Sequence, residues 1–235
     1  MVPMANPSNP LHVGLMVPIN NTTMERELLA WLPAGSTCDT QRIPRGKGLL
    51  TKEVLPEYVA QALALAKAFD DPAVDVVAYG CTAAGFISGP AGDAALQSDL
   101  AKVTGKQVVT TARSMVQALQ DAGVKNIALV TPYLDAVNVQ LKTFLAEGGI
   151  HVKSFNSFYA KDVDELGRIE SHTRRSRLLR QHSGGVFADC SQPGLLRTKR
   201  GSHSGICRSD RLLRARHRGS FTDACRRWLL RHHRR

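Results

Sequence analysis

The hydrophobic pattern starts at residues 11–18, LHVGLMVP, a short apolar run closed by proline. Such a run reads as a strand buried on both faces. Asn20-Asn21-Thr22-Thr23 follows, rich in helix-capping side chains, and a helix is predicted over 24–32. A second strand is predicted over 37–43, ending at Pro44-Arg45-Gly46-Lys47-Gly48. Over 51–69, Leu55, Val59, Ala62, Leu63 and Ala66 recur at helical spacing and predict a long helix with those residues inward. The run VDVVAY at 74–79 predicts a third buried strand. Then come a helix over 93–103, a strand over 106–110 and a helix over 113–122 stopped by Gly123. A strand over 126–130 stops at Thr131-Pro132. It is followed by a helix over 136–147, with Asp135 as N-cap, and a strand over 150–158.

Strands alternating with helices predict an α/β fold with a largely parallel sheet and right-handed crossovers, hence helices on both faces. In such sheets the ligand sits beyond the carboxyl ends of the strands. The residues to inspect are therefore Asn20-Asn21-Thr22-Thr23, Gly80-Cys81-Thr82 and Thr131-Pro132-Tyr133. A weak internal echo relates HVGLMVP, ending at Pro18, to IALVTP, ending at Pro132, an offset of 114 positions. It suggests two similar halves, with the counterpart of Cys81 near position 195 and Cys190 close by.

Cys81 is the most informative residue. A thiol at a strand end, followed by small residues, meets backbone N–H groups that favour an anion. That field would lower its pKa and favour thiolate. The alternative is a buried structural cysteine acting as a small hydrophobe. Asn21 can cap a helix, bind a carboxylate, or do both. Tyr133 is either a phenol donor to a substrate oxygen or a half-buried aromatic.

Composition sharpens this picture at one point only. The 235 residues are 43% hydrophobic, enough for one large domain or two small ones. No run of eighteen apolar residues occurs, so no membrane span is expected. The N-terminus lacks the marks of a secretory signal, and five cysteines form no framework, which predicts a cytoplasmic protein. The net charge of +11 is unevenly spread. Residues 1–167 carry 13 Lys+Arg against 16 Asp+Glu, a net of −3. Residues 168–235 carry 18 against 4, a net of +14, with 17 arginines and one lysine. No strand of β-branched residues is read in this tail; the segment 185–192 only faintly resembles a buried strand ending in a cysteine. Its bias resembles a high-GC gene translated in the wrong frame. A basic nucleic-acid-binding arm is the alternative, non-specific because only Phe187, Phe221 and Trp228 could stack on bases. No Cys-x-x-Cys spacing supports a metal site.

Several motifs, in order, resemble one family. Pro18-Ile19-Asn20-Asn21-Thr22-Thr23-Met24-Glu25 is similar to the N-terminal signature of maleate cis-trans isomerases. Gly80-Cys81-Thr82 resembles that family's first cysteine motif, Thr131-Pro132-Tyr133 its tyrosine motif, and Leu166-Gly167-Arg168-Ile169 a later segment. The wider group is the aspartate/glutamate racemase superfamily, with the arylmalonate decarboxylases. The resemblance implies a racemase-like fold of two Rossmann-like parallel-sheet halves, the second incomplete or disturbed here. The expected division is a disordered 1–10, a first half over 11–122, the start of a second over 123–169 and an atypical tail over 170–235.

The resemblance also implies cofactor-independent chemistry between two facing cysteines, with no metal, on a small dicarboxylate. Cys81 would be the nucleophile and Cys190 the opposing thiol. Asn21, Thr82 and Tyr133 would bind substrate carboxylates. Maleate to fumarate is the implied reaction; a decarboxylase, a racemase or an ectoine-utilisation enzyme are relatives with the same thiol. Intact members are expected to be homo-oligomers. The family's Asp-Asn pair is Asp162-Val163 here, which leaves the substrate open. A foreign tail would leave the second half uncovered, so the chain as written is expected to be poorly active or inactive.

Overall fold

The computed structural model describes residues 9–45, 48–162 and 165, and the backbone of 186–189 and 195–198. The first sheet holds β1 (His12–Pro18), β2 (Thr37–Ile43), β3 (Val76–Tyr79) and β4 (Gln107–Thr110), all parallel in the order β2-β1-β3-β4. Its helices are α1 (Met24–Trp31), α2 (Leu55–Ala66), α3 (Thr82–Thr104) and α4 (Thr111–Asp121). The second sheet holds β5 (Asn126–Thr131), β6 (His151–Ser157), β7 (Val186–Asp189) and β8 (Leu195–Thr198) in the order β6-β5-β7-β8. Helix α5 (Asp135–Glu147) links β5 to β6. The pairs β5–β6 and β5–β7 are parallel, and β7–β8 is antiparallel. This is the α/β fold of two similar parallel-sheet halves, with a disturbed edge on the second.

Side chains on the first sheet alternate between two cores, as the two-residue period of a strand requires. Val13, Leu15, Val17, Val76, Ala78 and Val109 face α1, α4 and α5. Met16, Val77, Tyr79 and Val108 face α2 and α3. Both faces are covered, which is why these strands read as unbroken apolar runs. The first core continues into the second half through Ile127, Leu129, Leu141, Phe144 and Leu145. Phe86 of α3 meets Phe144 of α5 edge-on, with centroids 5.5 Å apart.

Several boundaries differ from the sequence reading. Helix α2 begins at Leu55 rather than 51, with Pro56 in its first turn, where a missing N–H costs nothing. Its buried stripe is Tyr58, Ala62 and Ala66; Leu55, Val59 and Leu63 pack only partly. Helix α3 starts eleven residues before the expected position 93. Gly89, at φ 70° and ψ 172°, and Pro90 break it into two segments, and that Gly-Pro pair hid the first one. Asp135 is the first residue of α5, one place after the N-cap Leu134, where its charge suits the helix dipole. The tail, in which no strand of β-branched residues is read, supplies two: β7 lies in the segment that faintly resembles a buried strand, and β8 was not foreseen. Its LLRT sequence has a single β-branched residue.

Candidate active site

Three strand ends of the two sheets carry the candidate residues. After β1, the Asn21 N–H donates to the Pro18 carbonyl at 2.8 Å. The Asn21 side-chain oxygen accepts from the Thr23 N–H at 3.2 Å and the Met24 N–H at 3.0 Å. It thus satisfies orphan donors of α1 that Thr23, at the N-cap, leaves unmet. With Oδ1 committed to the helix, the Nδ2 amide is the group Asn21 can offer to an anion. Arg42, near the end of β2, holds this turn by donating to the Asn21 carbonyl at 2.6 Å and to Glu25 at 3.3 Å.

After β3, the Gly80 N–H donates to the Met16 carbonyl at 2.6 Å. A Cβ at Gly80 would lie 2.5 Å from the Met24 sulfur and 2.8 Å from Val17 Cγ1, so only glycine fits. This close approach seats Cys81 beside the β1–α1 turn. Cys81 is the N-cap of α3, 3% exposed. Burial pushes its thiol pKa up; the Tyr58 hydroxyl, the Ala84 N–H, the Arg45 charge and the Ala83 N–H pull against it, and burial prevails. The expected helix-end field is therefore present, but it does not lower the pKa below the free value. Desolvation of a sulfur anion in an apolar cluster is the larger effect.

Sequence reasoning missed three further buried polar groups in this half. Tyr58 and Tyr79 are buried, and neither hydroxyl meets full hydrogen-bond geometry with a partner, although that of Tyr58 acts on the Cys81 sulfur. Asp93, 1% exposed, accepts from the Thr110 hydroxyl at 2.6 Å through Oδ2, while Oδ1 is unpartnered. Burial pushes its pKa up, against the Thr110 bond and the Arg113 charge. A Cβ on Gly85 would come within 2.4 Å of Ala112 Cβ and 2.8 Å of Asp93 Oδ1, so the first turn of α3 is clamped between α4 and Asp93. The one sequence signal for Tyr58 was its place four and eight residues before Ala62 and Ala66.

Beyond β5, Tyr133 packs against both cores and so joins the second half to the cluster holding Cys81. Its backbone is fixed: the carbonyl accepts from Asn138 Nδ2 at 2.8 Å and from Ser157 Oγ at 2.5 Å, and its N–H donates to Thr131 Oγ1 at 3.3 Å. Thr82 is the first residue of α3. Cys190 directly follows β7 but lies outside the described residues. Among the described residues there is no group of three His, Cys, Asp or Glu that could hold a metal ion, and no helix long and apolar enough to cross a membrane.

Known proteins resemble the chain in sequence and in fold. Residues 13–192 match the family model described as arylmalonate decarboxylase. A maleate isomerase from Geobacillus stearothermophilus is 28% identical over 169 residues, 66% of each chain. The matched part thus spans just under two thirds of that relative. The maleate isomerase Iso from Pseudomonas putida S16 superposes with a TM-score of 0.66 at 24% identity over 73% of each chain. The Nocardia farcinica maleate cis-trans isomerase, solved with a covalently bound succinylcysteine intermediate, gives 0.64 at 22% identity over 74% of each. These two structures share the fold. Over more than half its length, the chain belongs to the arylmalonate decarboxylase family, the group to which its resemblance to maleate cis-trans isomerases pointed.

Proposed function

We propose that the chain is an isomerase that converts maleate, or a similar small cis-dicarboxylate, to its trans isomer through an adduct on Cys81. The observation that carries the reading is the seat of Cys81. It lies at the carboxyl end of a central parallel strand, on a helix N-terminus, with the Ala83 and Ala84 N–H groups acting on its sulfur. The similarity to maleate isomerases supports the substrate class. The succinylcysteine in the Nocardia protein supports a cysteine nucleophile.

In this reading the Cys81 thiolate attacks one alkene carbon. The π pair moves to the neighbouring carbon and into its carboxylate, giving an aci-carboxylate. Asn21 Nδ2, Thr82 and Tyr133 bind the two carboxylates, and neutral donors aimed at that developing charge lower the barrier. Cys190 gives the carbanion a proton to complete a succinyl adduct and takes the same proton back. The carbon–carbon bond is single in the adduct and rotates. Elimination then expels the thiolate and leaves the trans alkene. The covalent step divides one hard rearrangement into easier ones.

The test is purified protein with maleate, followed by proton NMR. Fumarate should appear, slowly, with wild type and not with Cys81→Ala. Loss of carbon dioxide from phenylmalonate with no fumarate from maleate would replace this reading with the decarboxylase. Fumarate formation that survives Cys81→Ala would refute the role of the thiol.

A further inference from the structure

Helix α2 presents Tyr58, Ala62 and Ala66, one residue per turn, to the cluster that contains Tyr79, Cys81 and Ala84. The two alanines let the helix lie close, and Tyr58 extends at its N-terminal end. A phenylalanine would fill the same space without the oxygen. That oxygen is buried and meets full hydrogen-bond geometry with no partner, a state that costs stability and that a core position has no packing reason to keep. A partner that appears only in function would account for it.

We propose that Tyr58 is a catalytic residue whose O–H donates a hydrogen bond to Cys81 Sγ whenever that sulfur is anionic, before attack and again after elimination. The inference rests on Cys81 being the nucleophile. Tyr58 and Cys81 belong to one buried cluster, and the Tyr58 hydroxyl is the polar group that acts most strongly on the thiol, although hydroxyl and sulfur do not meet the full geometry of a formed hydrogen bond. Burial holds the phenol far above its ordinary pKa, so it stays a donor at working pH. The thiol proton leaves to water; the phenol proton stays on the phenol, and no net transfer between the two is needed. The other groups facing this pair are Arg45 from the β2–α2 loop, Tyr79 from β3 and the Ala83 and Ala84 N–H groups of α3. Asp93 acts on Tyr79, and Arg113 on Asp93.

The experiment is alkylation of the full chain by iodoacetamide across pH, with the labelled peptides mapped so that Cys81 is separated from the other cysteines. Tyr58→Phe should raise the midpoint of Cys81 labelling by about one pH unit and slow labelling at neutral pH about tenfold. Its melting temperature should equal or exceed that of wild type, because an unpaired hydroxyl has been removed. An unchanged midpoint would overturn the proposal. Should Tyr58→Phe not fold, wild type grown with 3-fluorotyrosine replaces it. The more acidic phenol should lower the midpoint, and the response should persist in Tyr79→Phe; no response overturns the proposal. Labelling reads the sulfur without turnover. A shifted midpoint with no fumarate from wild type keeps the hydrogen bond and removes the isomerase reading. Fumarate with an unshifted midpoint does the reverse.

Discussion

The two sheets share one plan and part company at one edge. Strands β1 and β5 start 114 positions apart, at His12 and Asn126, and β2 and β6 keep the same offset, at Thr37 and His151. Each central strand then pairs with the third strand of its own half, β1 with β3 and β5 with β7. That third offset is 110, from Val76 to Val186, because the link from β6 to β7 is four residues shorter than the link from β2 to β3. In the first half, the chain leaves β3 through α3 and returns parallel as β4. In the second half, five residues, Cys190-Ser191-Gln192-Pro193-Gly194, separate β7 from an antiparallel β8. A parallel crossover needs a dozen residues or more, so no such helix fits there. The consequence is chemical. Cys81 opens a helix and meets its N–H groups, whereas Cys190 follows a strand that turns back on itself.

Removing the sulfur from each half breaks that comparison most severely. Cys81→Ala should lower turnover of maleate at least about a thousandfold, measured as initial rate, because the nucleophile itself is lost. Cys190→Ala should also lower turnover but leave the thiolate chemistry of Cys81 intact, so alkylation of Cys81 should keep its wild-type pH dependence. Equal effects of the two variants on that pH dependence would contradict the asymmetry.

Filling the space behind the first thiol comes next. Gly80→Ala places a methyl group against Met24, Val17 and the Met16 carbonyl. The overpacking should cost about 1–3 kcal/mol by denaturant unfolding, with a further loss of activity because Cys81 moves with the strand end. The test probes the close packing that seats Cys81.

A smaller effect tests the charge state beneath α3. Asp93 has its pKa raised by burial, so the folded state favours the protonated acid. That contribution to stability is fully present below the unfolded value, about 3.9, and is lost as pH rises through the higher folded value. Against Asp93→Asn, which does not titrate, wild type should gain melting temperature as pH falls from neutral into the carboxyl range. A constant difference would mean that Asp93 is ionised without penalty. Smallest is Arg42→Ala. The guanidinium and Glu25 are both well exposed, so stability should change by about 1 kcal/mol or less. The visible change should be a raised KM, because the turn bearing Asn21 loses its strap.

What the sequence disclosed and what it hid follow from the same physics. Residues 37–43 were bounded correctly as β2, and the first residues of β1 and β5 fell within one position, because apolar runs between polar turns mark buried parallel strands. The start of α3 was invisible. Thr82-Ala83-Ala84-Gly85-Phe86-Ile87 has little helical amphipathy, because the four successive residues from Ala84 to Ile87 are all buried, and Gly89-Pro90 cuts its period. That missed turn is the part of the helix that touches the nucleophile. Tyr58 was hidden because a phenol on an apolar stripe reads as core, and only the missing partner of its oxygen sets it apart. The direction of the Cys81 pKa was also beyond the sequence, since it depends on how completely α2 and Tyr79 exclude water. Strand β8 was missed because the arginine-rich composition of the tail drew attention away from its short Leu195-Leu196 run.

The most direct measurement is to incubate the folded protein with maleate, quench in acid, digest it and locate any added succinyl group by mass spectrometry. The account expects the group on Cys81 and absent from Cys38, whose burial pushes its pKa up to about 11 and which sits on the edge strand β2. Fumarate formed with no adduct at Cys81, or an adduct confined to another cysteine, would contradict it.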